Sequence, residues 1–581
     1  MPRRDFGETM AVTTSGERKD LSQSLAAVAD FATQTHARAL LVLLLVTFIS
    51  ILPGFFSIPP TDRDESRFAQ ATKQMIESGD YVDIRYQEEV RYKKPVGIYW
   101  LQAGAVKAGQ ALGVPQALST IWLYRIPSLI GAVAAVMLTY WAALAFVSRR
   151  AAVLAGLMMA SCLLLSVEGR IAKTDAALLA TIVAAMGAMG RLYLPEQRQH
   201  VDARASWTLP AIFWTAMAAG VMLKGPVIVL FVGLTALTLG IVDRSARWLL
   251  SLRPLVGLVW LALLVLPWFL LIIQRSGESF FSESIGHDFL SKIGSGQESH
   301  GAPPGLYLLL FWATFFPGAM LTAPAAPAIW AARREPGAKF LLAWVVPSWI
   351  LLEIVITKLP HYVLPTYPAI AILLAGFVDA RTLSPKRWLT NATIWWFLLP
   401  LMAGIAALIV LFTVGRTFGL LVWPVVGGSV VMGLLAWRLY EADGAEHSLL
   451  RATVASLLLS AAMFGLVVPA LNPVFPSMAL AKHLRDSGCS EPLVASSGYH
   501  EPSLVFLAGT GTRLVDAAGT ADVLAGGDCR FAFVEQRQER SFAQRADALG
   551  LFYAPVTRIE AFNLGSGKSA IIAVFRSGAT R

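Results

Sequence analysis

The chain has 581 residues, of which 56% are hydrophobic and only 15% are charged, and its mean hydropathy is +0.59. A composition this apolar excludes an ordinary soluble protein and is typical of helices that cross a membrane many times. The formal net charge of +10 does not call for a nucleic-acid partner, because membrane proteins concentrate Lys and Arg in their cytoplasmic loops.

The N-terminal segment is polar and the first long apolar run follows it. Residues 1–37 are predicted to form a cytoplasmic tail, without a cleavable signal peptide. The charge-free run 39–60 is long enough to be the first membrane span.

Acids and bases crowd into the stretch directly behind that run, Pro59–Leu101. Thr61 or Asp62 could cap a helix there, and Gly79 would close it. Asp64 and Arg67 are three residues apart, so they share one face of this helix. Taken alone, these residues also fit a surface ion pair on an amphipathic helix.

About thirteen spans are predicted in all, and together with their loops they form the membrane region 38–475. After 39–60 they cover, approximately, 119–147, 151–167, 174–190, 206–223, 225–242, 254–274, 305–332, 340–357, 361–378, 389–413, 417–437 and 449–471.

The loops between the spans divide into two sets. The first set is rich in Arg, and the positive-inside rule places it in the cytoplasm; it comprises 149–150, 191–204, 243–247, 333–339, 379–387 and 438–451. The second set includes the loops 60–118 and 275–304. Because an odd number of spans puts the two ends of the chain on opposite sides, it also includes the C-terminus. This second face is predicted to be periplasmic in a bacterium.

The unusual polar residues gather on the second face, in five separate turns. They are Asp64, Arg67, Tyr92 and Lys94, then Glu168, Arg170, Lys173 and Asp175, then Lys224, then His287, Lys292 and His300, and finally Lys358, His361 and Tyr362. Ionisable groups at membrane depth are costly unless they line a polar cavity, so a shared site is predicted. A lone lysine at a span end would instead be a snorkelling residue. Glu353 either reaches this site or is a helix-end acid bonded by a neighbouring helix.

The last part of the chain is less apolar and is predicted to be a small periplasmic α/β domain, 476–581. Leu493–Ser497 and Arg530–Glu535 read as strands, with Cys489 and Cys529 just before them. Parallel neighbouring strands are about 4.8 Å apart, which would suit a disulfide in the oxidising periplasm. Two buried free thiols are the alternative. The sequence GSGKS at 565–569 lacks the spacing of a phosphate loop and is predicted to be a hairpin turn.

Carboxylates beside cations at a membrane surface suit group transfer from a lipid phosphate. The cations would neutralise the phosphate, and a carboxylate could take a proton from the acceptor. No GxGxxG, Walker or HExxH motif indicates a nucleotide, NAD or zinc hydrolysis.

Five pieces of the sequence resemble a known family: DESRFAQATKQMIESGDYV, YKKPVGIYWLQA, GRIAKTDAALL, LKGPV and KLPHYVLPTYPAIAILLAG. With these pieces in family order, the chain resembles the GT-C type membrane glycosyltransferases, in the family of the lipid A aminoarabinose transferase and the protein O-mannosyltransferases. The resemblance implies inverting transfer of a sugar from an undecaprenyl-phosphate or other polyprenyl-phosphate donor to a periplasmic acceptor. Lipid A or a related envelope glycolipid is the expected acceptor, and a monomer in the bacterial inner membrane is the expected form.

The same resemblance implies roles for single residues. Asp64 and Asp175 would be catalytic, and the donor phosphate would be bound by Arg67, Lys94 and Lys224. The substrate cavity would be lined by Tyr92, His287, Lys292, Lys358, His361 and Tyr362. His287 also matches a metal-binding histidine, but the acid expected before the KP lysine is Lys93 here, which argues against a divalent metal held by that pair. No other cofactor is expected.

The sequence leaves the sugar and the acceptor open. Aminoarabinose, galacturonic acid and neutral hexoses are all candidate sugars, and another glycan, a lipid or a protein could replace lipid A as acceptor.

A transporter of lipid-linked sugars is the alternative from another class of protein. It would place polar residues through the membrane midplane, whereas here they cluster at one face. A purely structural role would leave this acid–base cluster unexplained.

Overall fold

The computed structural model describes residues 24, 26–61, 63–194, 206–277, 280, 301–563 and 568–577. Up to residue 470 it is almost entirely helical. Its main helices are α1 (His36–Ile51), α2 (Asp64–Ser78), α3 (Gly97–Ala111), α4 (Ile121–Ala143), α5 (Arg149–Ala160), α6 (Leu163–Glu168), α7 (Asp175–Tyr193), α8 (Thr208–Lys224), α9 (Val227–Val242), α10 (Pro254–Ser276), α11 (Leu306–Thr314), α12 (Thr322–Ala332), α13 (Pro336–Ile354), α14 (Tyr367–Asp379), α15 (Arg387–Thr413), α16 (Val422–Arg438) and α17 (Tyr440–Ala470).

Seven helices of the described residues are long and apolar enough to cross a membrane: α4, α7, α10, α13, α14 with the 3-10 turn before it, α15 and α17. The bent pair formed by α11 and Gly318–Ala332 makes an eighth if it is one span. The apolar helices α1, α8, α9 and α16 are shorter. The polytopic helical architecture is confirmed, while the total of about thirteen spans stays a prediction.

Three predicted boundaries are wrong. The span 151–167 is two helices, α5 and α6, where the Ser161 hydroxyl donates to the Leu157 carbonyl at 2.7 Å, a bond that bends helices. The span 305–332 is bent by 113°, because Pro317 cannot continue the helix that precedes it. The loop 438–451 is largely helical: α17 begins at Tyr440 with acids that suit a helix N-terminus, is kinked at Gly444 (φ 84°), and continues beyond it.

The amphipathic helix predicted after the first span is α2, but its start differs from the prediction. Gly79 closes the helix in the left-handed conformation, with φ 72°, as predicted. Thr61 does not cap the helix: its backbone N–H and its hydroxyl both donate to Glu65, each at 2.8 Å. The reason is that Glu65 is ionised and anchored by Arg125, so Thr61 acts as a donor to it. Asp62 lies outside the described residues.

A small α/β domain follows the helical part, as predicted. It contains α18 (Pro476–Asp486), β3 (Leu493–Ser497), α19 (Pro502–Ala508), β4 (Arg513–Leu514), α20 (Ala517–Ala525), β5 (Arg530–Glu535), α21 (Glu539–Ala548), β6 (Pro555–Asn563) and β7 (Lys568–Arg576), while β1 (Arg85–Tyr86) and β2 (Glu89–Val90) form a separate hairpin before α3. The sheet order is β4-β3-β5-β7-β6. Strands β6 and β7 are antiparallel, with Asn563 opposite Lys568, and most of the predicted hairpin turn at 565–569 lies outside the described residues.

The predicted disulfide is present in this domain. Strands β3 and β5 are parallel neighbours, with Leu493 opposite Arg530. Cys489 and Cys529 therefore lie at the same edge of the sheet and are bonded, with their Cα atoms 5.8 Å apart. The parallel pairing of two strands that the sequence placed about 40 residues apart explains this bond.

The C-terminal domain packs on one side of the helical part, which we call the domain side. Helix α19 packs on α2, and the Phe506 ring meets the Tyr124 ring edge to face at 5.2 Å. Between α15 and α16, Arg416 pairs with Glu560 at 2.9 Å. The loop 60–118 and the C-terminal domain thus lie on the same side, which is the arrangement that the loop charges predict.

Candidate active site

Charged side chains converge where α7 begins, on the domain side. Asp175 is the first residue of α7 and is 6% exposed. Lys224 ends α8 and donates from Nζ to Asp175 Oδ1 at 2.5 Å. A carboxylate at a helix N-terminus and an ammonium at a helix C-terminus are both stabilised by the helix dipoles, so the backbone favours this pair.

His361 extends this pair from a third element, the 3-10 helix Pro360–Thr366. Its Nε2 lies 3.7 Å from Asp175 Oδ1, and its Nδ1 lies 3.5 Å from Glu168 Oε1. Lys173 Nζ lies 3.9 Å from Glu168 Oε2. The ammonium of Lys224 also stands over the Tyr362 ring, 5.3 Å from its centroid.

Glu168, Lys173, Asp175, Lys224 and His361 form what we call the charged cluster. Its two carboxylates are buried, so they depend on the surrounding bases for compensation. Within the described residues, Glu168 Oε2 is buried without a hydrogen-bond partner. Because buried polar atoms are rarely left unbonded, this oxygen is a natural contact for a polar ligand.

The first turn of α2 lies beside the charged cluster. The charge of Asp64 acts on both Glu168 and Lys173, and the Asp64 side chain is half-buried. Arg67 follows one turn later and is also half-buried. The structure thus brings Asp64 close to the charged cluster, while the roles predicted for Asp64 and Arg67 stay predictions.

Glu65 holds this turn in place. It accepts from Arg125 Nε at 2.7 Å and Nη2 at 3.0 Å, and from the backbone N–H of Ala172 at 2.9 Å. Burial by itself would raise the pKa of Glu65, but the charge and hydrogen bonds of Arg125 hold the pKa below its ordinary value. The link to Ala172 ties α2 to the segment that carries Lys173 and Asp175.

The remaining candidate residues have other surroundings. Lys94 is half-buried in the turn before α3. The Tyr92 hydroxyl donates to Asp83 Oδ1 at 2.8 Å. Lys358 is buried and donates to the Val355 carbonyl at 2.5 Å, within its own turn. His287, Lys292 and His300 lie outside the described residues.

Two other ionisable residues singled out by the sequence have structural partners. Arg170 donates to the Ser50 carbonyl at 2.6 Å and stacks 3.9 Å over the Phe464 ring. Glu353 accepts from the backbone N–H groups of Gly305 at 2.8 Å and Leu308 at 3.2 Å, at the start of α11. The interpretation of Glu353 as a helix-end acid satisfied by a neighbouring helix is confirmed.

Sequence reasoning gave no role to Glu65, and it placed Glu168 and Lys173 on the shared face without assigning either an individual role. All three belong to the quoted pieces or directly adjoin them, DESR for Glu65 and GRIAKTD for the other two. Their position beside Asp64 and Asp175 was the available signal.

The side chains that the structure describes do not assemble a divalent-metal site. The acid expected before the KP lysine is Lys93, a cation, and His287 lies outside the described residues. The acids Glu168 and Asp175 face Lys173, Lys224 and His361. Within the described part of the chain, no group of three or more His, Cys, Asp or Glu side chains could hold a metal ion.

Comparison with known proteins gives a consistent result. Residues 61–278, which contain Asp64, Arg67, Lys94, Asp175 and Lys224, match the model of the family described as dolichyl-phosphate-mannose-protein mannosyltransferase. A relative from Edwardsiella ictaluri, named undecaprenyl phosphate-alpha-4-amino-4-deoxy-L-arabinose arabinosyl transferase, is 28% identical over 455 residues, 74% of this chain and 76% of the relative. A protein of the same name from Erwinia tasmaniensis is 28% identical over 394 residues, 66% of each chain.

Two solved structures share the fold. The crystal structure of ArnT from Cupriavidus metallidurans in the apo state has a TM-score of 0.73 at 19% identity, and the one bound to undecaprenyl phosphate has a TM-score of 0.74 at 20% identity. Each alignment covers 92% of this chain and 97% of the other. The predicted resemblance to the GT-C type glycosyltransferases is confirmed.

Proposed function

We propose that this protein is a GT-C type glycosyltransferase that moves a sugar from an undecaprenyl-phosphate donor to lipid A, with 4-amino-4-deoxy-L-arabinose as the sugar. The observation that carries the proposal is the charged cluster beside Asp64, on the domain side. The names of the two relatives support the sugar, and the fold shared with ArnT supports the class of donor.

The reaction is written as an inverting displacement at the sugar's anomeric carbon. The acceptor oxygen forms a bond to the anomeric carbon. At the same time the bond between that carbon and the donor phosphate breaks, and undecaprenyl phosphate leaves. The negative charge that develops on the leaving phosphate is neutralised by Arg67, Lys94 and Lys224. Preorganised positive groups in a site shielded from water contribute the largest share of such a rate enhancement.

The role of Asp64 depends on the acceptor. If a hydroxyl attacks, Asp64 takes its proton as the general base. If a lipid A phosphate attacks, no strong base is needed, and Asp64 orients the reacting groups. Asp175 keeps Lys224 in place through the 2.5 Å contact and lies within reach of His361.

We further propose that the reaction proceeds without a resident divalent metal at the position of Lys93. The lysine would supply the positive charge that a metal would otherwise bring. A transfer assay repeated in the presence of a chelator should give an unchanged rate, and a rate restored only by added metal would overturn this part of the proposal.

The domain side is proposed to face the periplasm, with about thirteen spans in the bacterial inner membrane. The Arg-rich loops on the opposite side support this orientation. All residues of the proposed site belong to one chain. A reporter that is active only in the cytoplasm, fused after Arg581, should be silent. A bright signal would overturn the orientation and with it the periplasmic acceptor.

The whole proposal is tested with the purified full chain in lipid nanodiscs. Undecaprenyl-phosphate donors carrying aminoarabinose, galacturonic acid or a hexose are each mixed with lipid A, and mass spectrometry follows the lipid A product. We expect modified lipid A with the aminoarabinose donor. Transfer only from another donor would correct the sugar, and transfer from none of them to lipid A would overturn the proposal.

A further inference from the structure

Helix α2 is held between the helical part and the C-terminal domain, and this arrangement suggests a further role for Lys73. At its N-terminal end, α2 is tied to α4 by the bonds between Glu65 and Arg125. Lys73 follows Glu65 by eight residues, which corresponds to about 12 Å along a helix. The Lys73 side chain is buried, although an ammonium is normally solvated.

The partner of Lys73 belongs to the C-terminal domain. Its Nζ donates to the Phe506 backbone carbonyl at 2.9 Å and lies 5.8 Å from the centroid of the Phe506 ring. Glu77, one turn further along α2, is 4.0 Å away. Burial lowers the pKa of Lys73, and Glu77 opposes that change. Burying the Lys73 ammonium costs desolvation free energy, so we expect its contacts with Phe506 and Glu77 to keep the side chain in place.

The contacts form a closed ring of five residues across three elements. Phe506 is fully buried and packs edge to face on Tyr124 of α4, with ring centroids 5.2 Å apart. Tyr124 is the neighbour of Arg125, which bonds Glu65. The ring therefore runs from Lys73 to Phe506, to Tyr124 and Arg125, and back to α2 through Glu65.

Thr510, just beyond α19, adds a second connection. Its hydroxyl accepts from Gln70 Nε2 at 2.8 Å and donates to Glu77 Oε2 at 2.7 Å. Gln87 Nε2 donates to the carbonyls of Thr510 at 3.0 Å and Thr512 at 2.5 Å. The C-terminal domain thus contacts α2 over two helical turns and also holds the segment that follows it.

We propose that Lys73 is a positioning residue: through Phe506 and Thr510 the C-terminal domain fixes the axis of α2, and so the placement of Asp64 and Arg67 beside the charged cluster. This inference rests on the proposed function for its catalytic consequence. A displacement of reacting groups by about 1 Å can cost as much as 100-fold in rate, so a modest loosening of α2 should be visible in turnover.

The test uses the full chain in nanodiscs. Lys73→Met keeps the apolar stem and removes the ammonium, Lys73→Arg keeps a cationic donor, and Thr510→Val removes the hydroxyl on the domain side of the contact. Lys107→Met is the matched control, because Lys107 is an exposed lysine on α3 that stacks over the Tyr81 ring. Turnover at saturating donor is measured well below each variant's melting temperature, together with hydrogen exchange of residues 64–70.

We expect turnover to fall about tenfold in Lys73→Met and in Thr510→Val, with faster exchange in residues 64–70, and to recover in Lys73→Arg. Lys107→Met should match the wild type. A merely structural role would lower the melting temperature and leave turnover well below it unchanged. Thr510→Val carries the test if Lys73→Met does not fold.

Wild-type turnover and wild-type exchange in Lys73→Met or Thr510→Val would overturn the inference. Unchanged turnover with faster exchange would also overturn it, because loosening of residues 64–70 would then have no effect on transfer. Faster exchange in a protein whose wild type transfers no sugar would overturn the proposed function and leave the mechanical link between the C-terminal domain and α2 standing.

Discussion

Two Lys–Asp pairs of nearly equal length lie at the two ends of the helical part. On the domain side, Lys224 Nζ is 2.5 Å from Asp175 Oδ1, and their side chains are 11% and 6% exposed. On the opposite side, Lys339 Nζ is 2.6 Å from Asp243 Oδ1, and their side chains are 23% and 24% exposed. The same bond therefore sits in two different environments.

The surroundings of the two pairs differ more than their geometry. Asp243 accepts a second bond from the Tyr193 hydroxyl at 2.7 Å, and the pair ties α9 to α7 and α13. Asp175 faces His361, and through it a second buried acid, Glu168. The Lys339–Asp243 pair joins helices, and the Asp243 carboxylate is satisfied by hydrogen bonds from Lys339 and Tyr193. The charged cluster instead concentrates more charged groups than are needed to pack the helices together. We take the Lys339–Asp243 pair as structural and the Lys224–Asp175 pair as part of the site.

The Arg-rich side shows the structural pattern repeatedly. Arg150 bridges Asp30 at 2.8 Å and Glu446 at 2.7 Å, and Arg451 pairs with Asp443. The two Arg150 pairs connect segments that are distant in sequence, whereas Arg451 and Asp443 lie on the same helix. They stabilise the arrangement of helices and gather no acid–base cluster comparable to the one beside Asp64.

Among substitutions that compare the domain side with the Arg-rich side, we expect the largest loss of transfer at Asp64. Asp64→Asn keeps the size of the side chain and removes its charge, so the transfer rate should fall by about 1,000-fold with normal membrane insertion. Asp243→Asn is the control from the opposite side and should reduce stability while leaving turnover near the wild type. Steady-state transfer to lipid A measures both, and wild-type turnover in Asp64→Asn would rule it out as an essential group.

A smaller effect is expected from pH. Glu168 is the last residue of the short helix α6, and burial raises its pKa to about 7, against the opposing charge of Lys173. The carboxyl is therefore neutral below pH 7 and anionic above it. The anion opposes the leaving phosphate, so transfer should slow about threefold as the pH rises through 7. The stabilisation that this proton gives to the folded protein is fully present below the ordinary pKa of 4.5 and is lost as the pH rises from there through about 7.

Glu168→Gln should remove this change, because glutamine stays neutral at every pH. Asp64, Asp175, Lys173, Lys224 and His361 also surround the group, so the variant must be compared with wild type over the full pH range. Glu88→Gln changes an exposed acid in the β1–β2 hairpin and is the control. An unchanged pH profile in Glu168→Gln would show that another group causes the slowing.

The smallest effect on transfer is expected from the disulfide, which lies in the C-terminal domain. Replacing Cys489 and Cys529 by Ser should destabilise that domain by up to about 4 kcal/mol, because the bond closes a long loop. Turnover well below the melting temperature should stay near the wild type. Alkylation of the unfolded protein checks the bond itself: two cysteines labelled before reduction, beyond Cys162, would contradict it.

The sequence predicted local features well. The pattern of the first loop gave α2 and its end at Gly79, and the strand propensities gave β3 and β5, hence the disulfide between Cys489 and Cys529. The sign of the loop charges separated the face that carries the charged cluster from the Arg-rich one. Each of these inferences depends on neighbours in the chain.

The features that the sequence missed depend on contacts between distant segments. Glu65 and Arg125 are 60 residues apart, and Lys73 and Phe506 are 433 apart. Helical periodicity shows which face of α2 is buried, but it does not identify the element that covers it. For the same reason the sequence alone left two interpretations of Glu353, because it does not show that the start of α11 lies against this side chain.

Binding of undecaprenyl phosphate to Lys224→Met and Lys339→Met tests the central claim most directly. Both variants remove an ammonium from a short bond to an aspartate. If the charged cluster receives the donor phosphate, the Kd should rise about tenfold in Lys224→Met, by loss of a charge-assisted contact, and stay at the wild-type value in Lys339→Met. Equal affinities in the two variants would contradict the assignment of the site to the domain side.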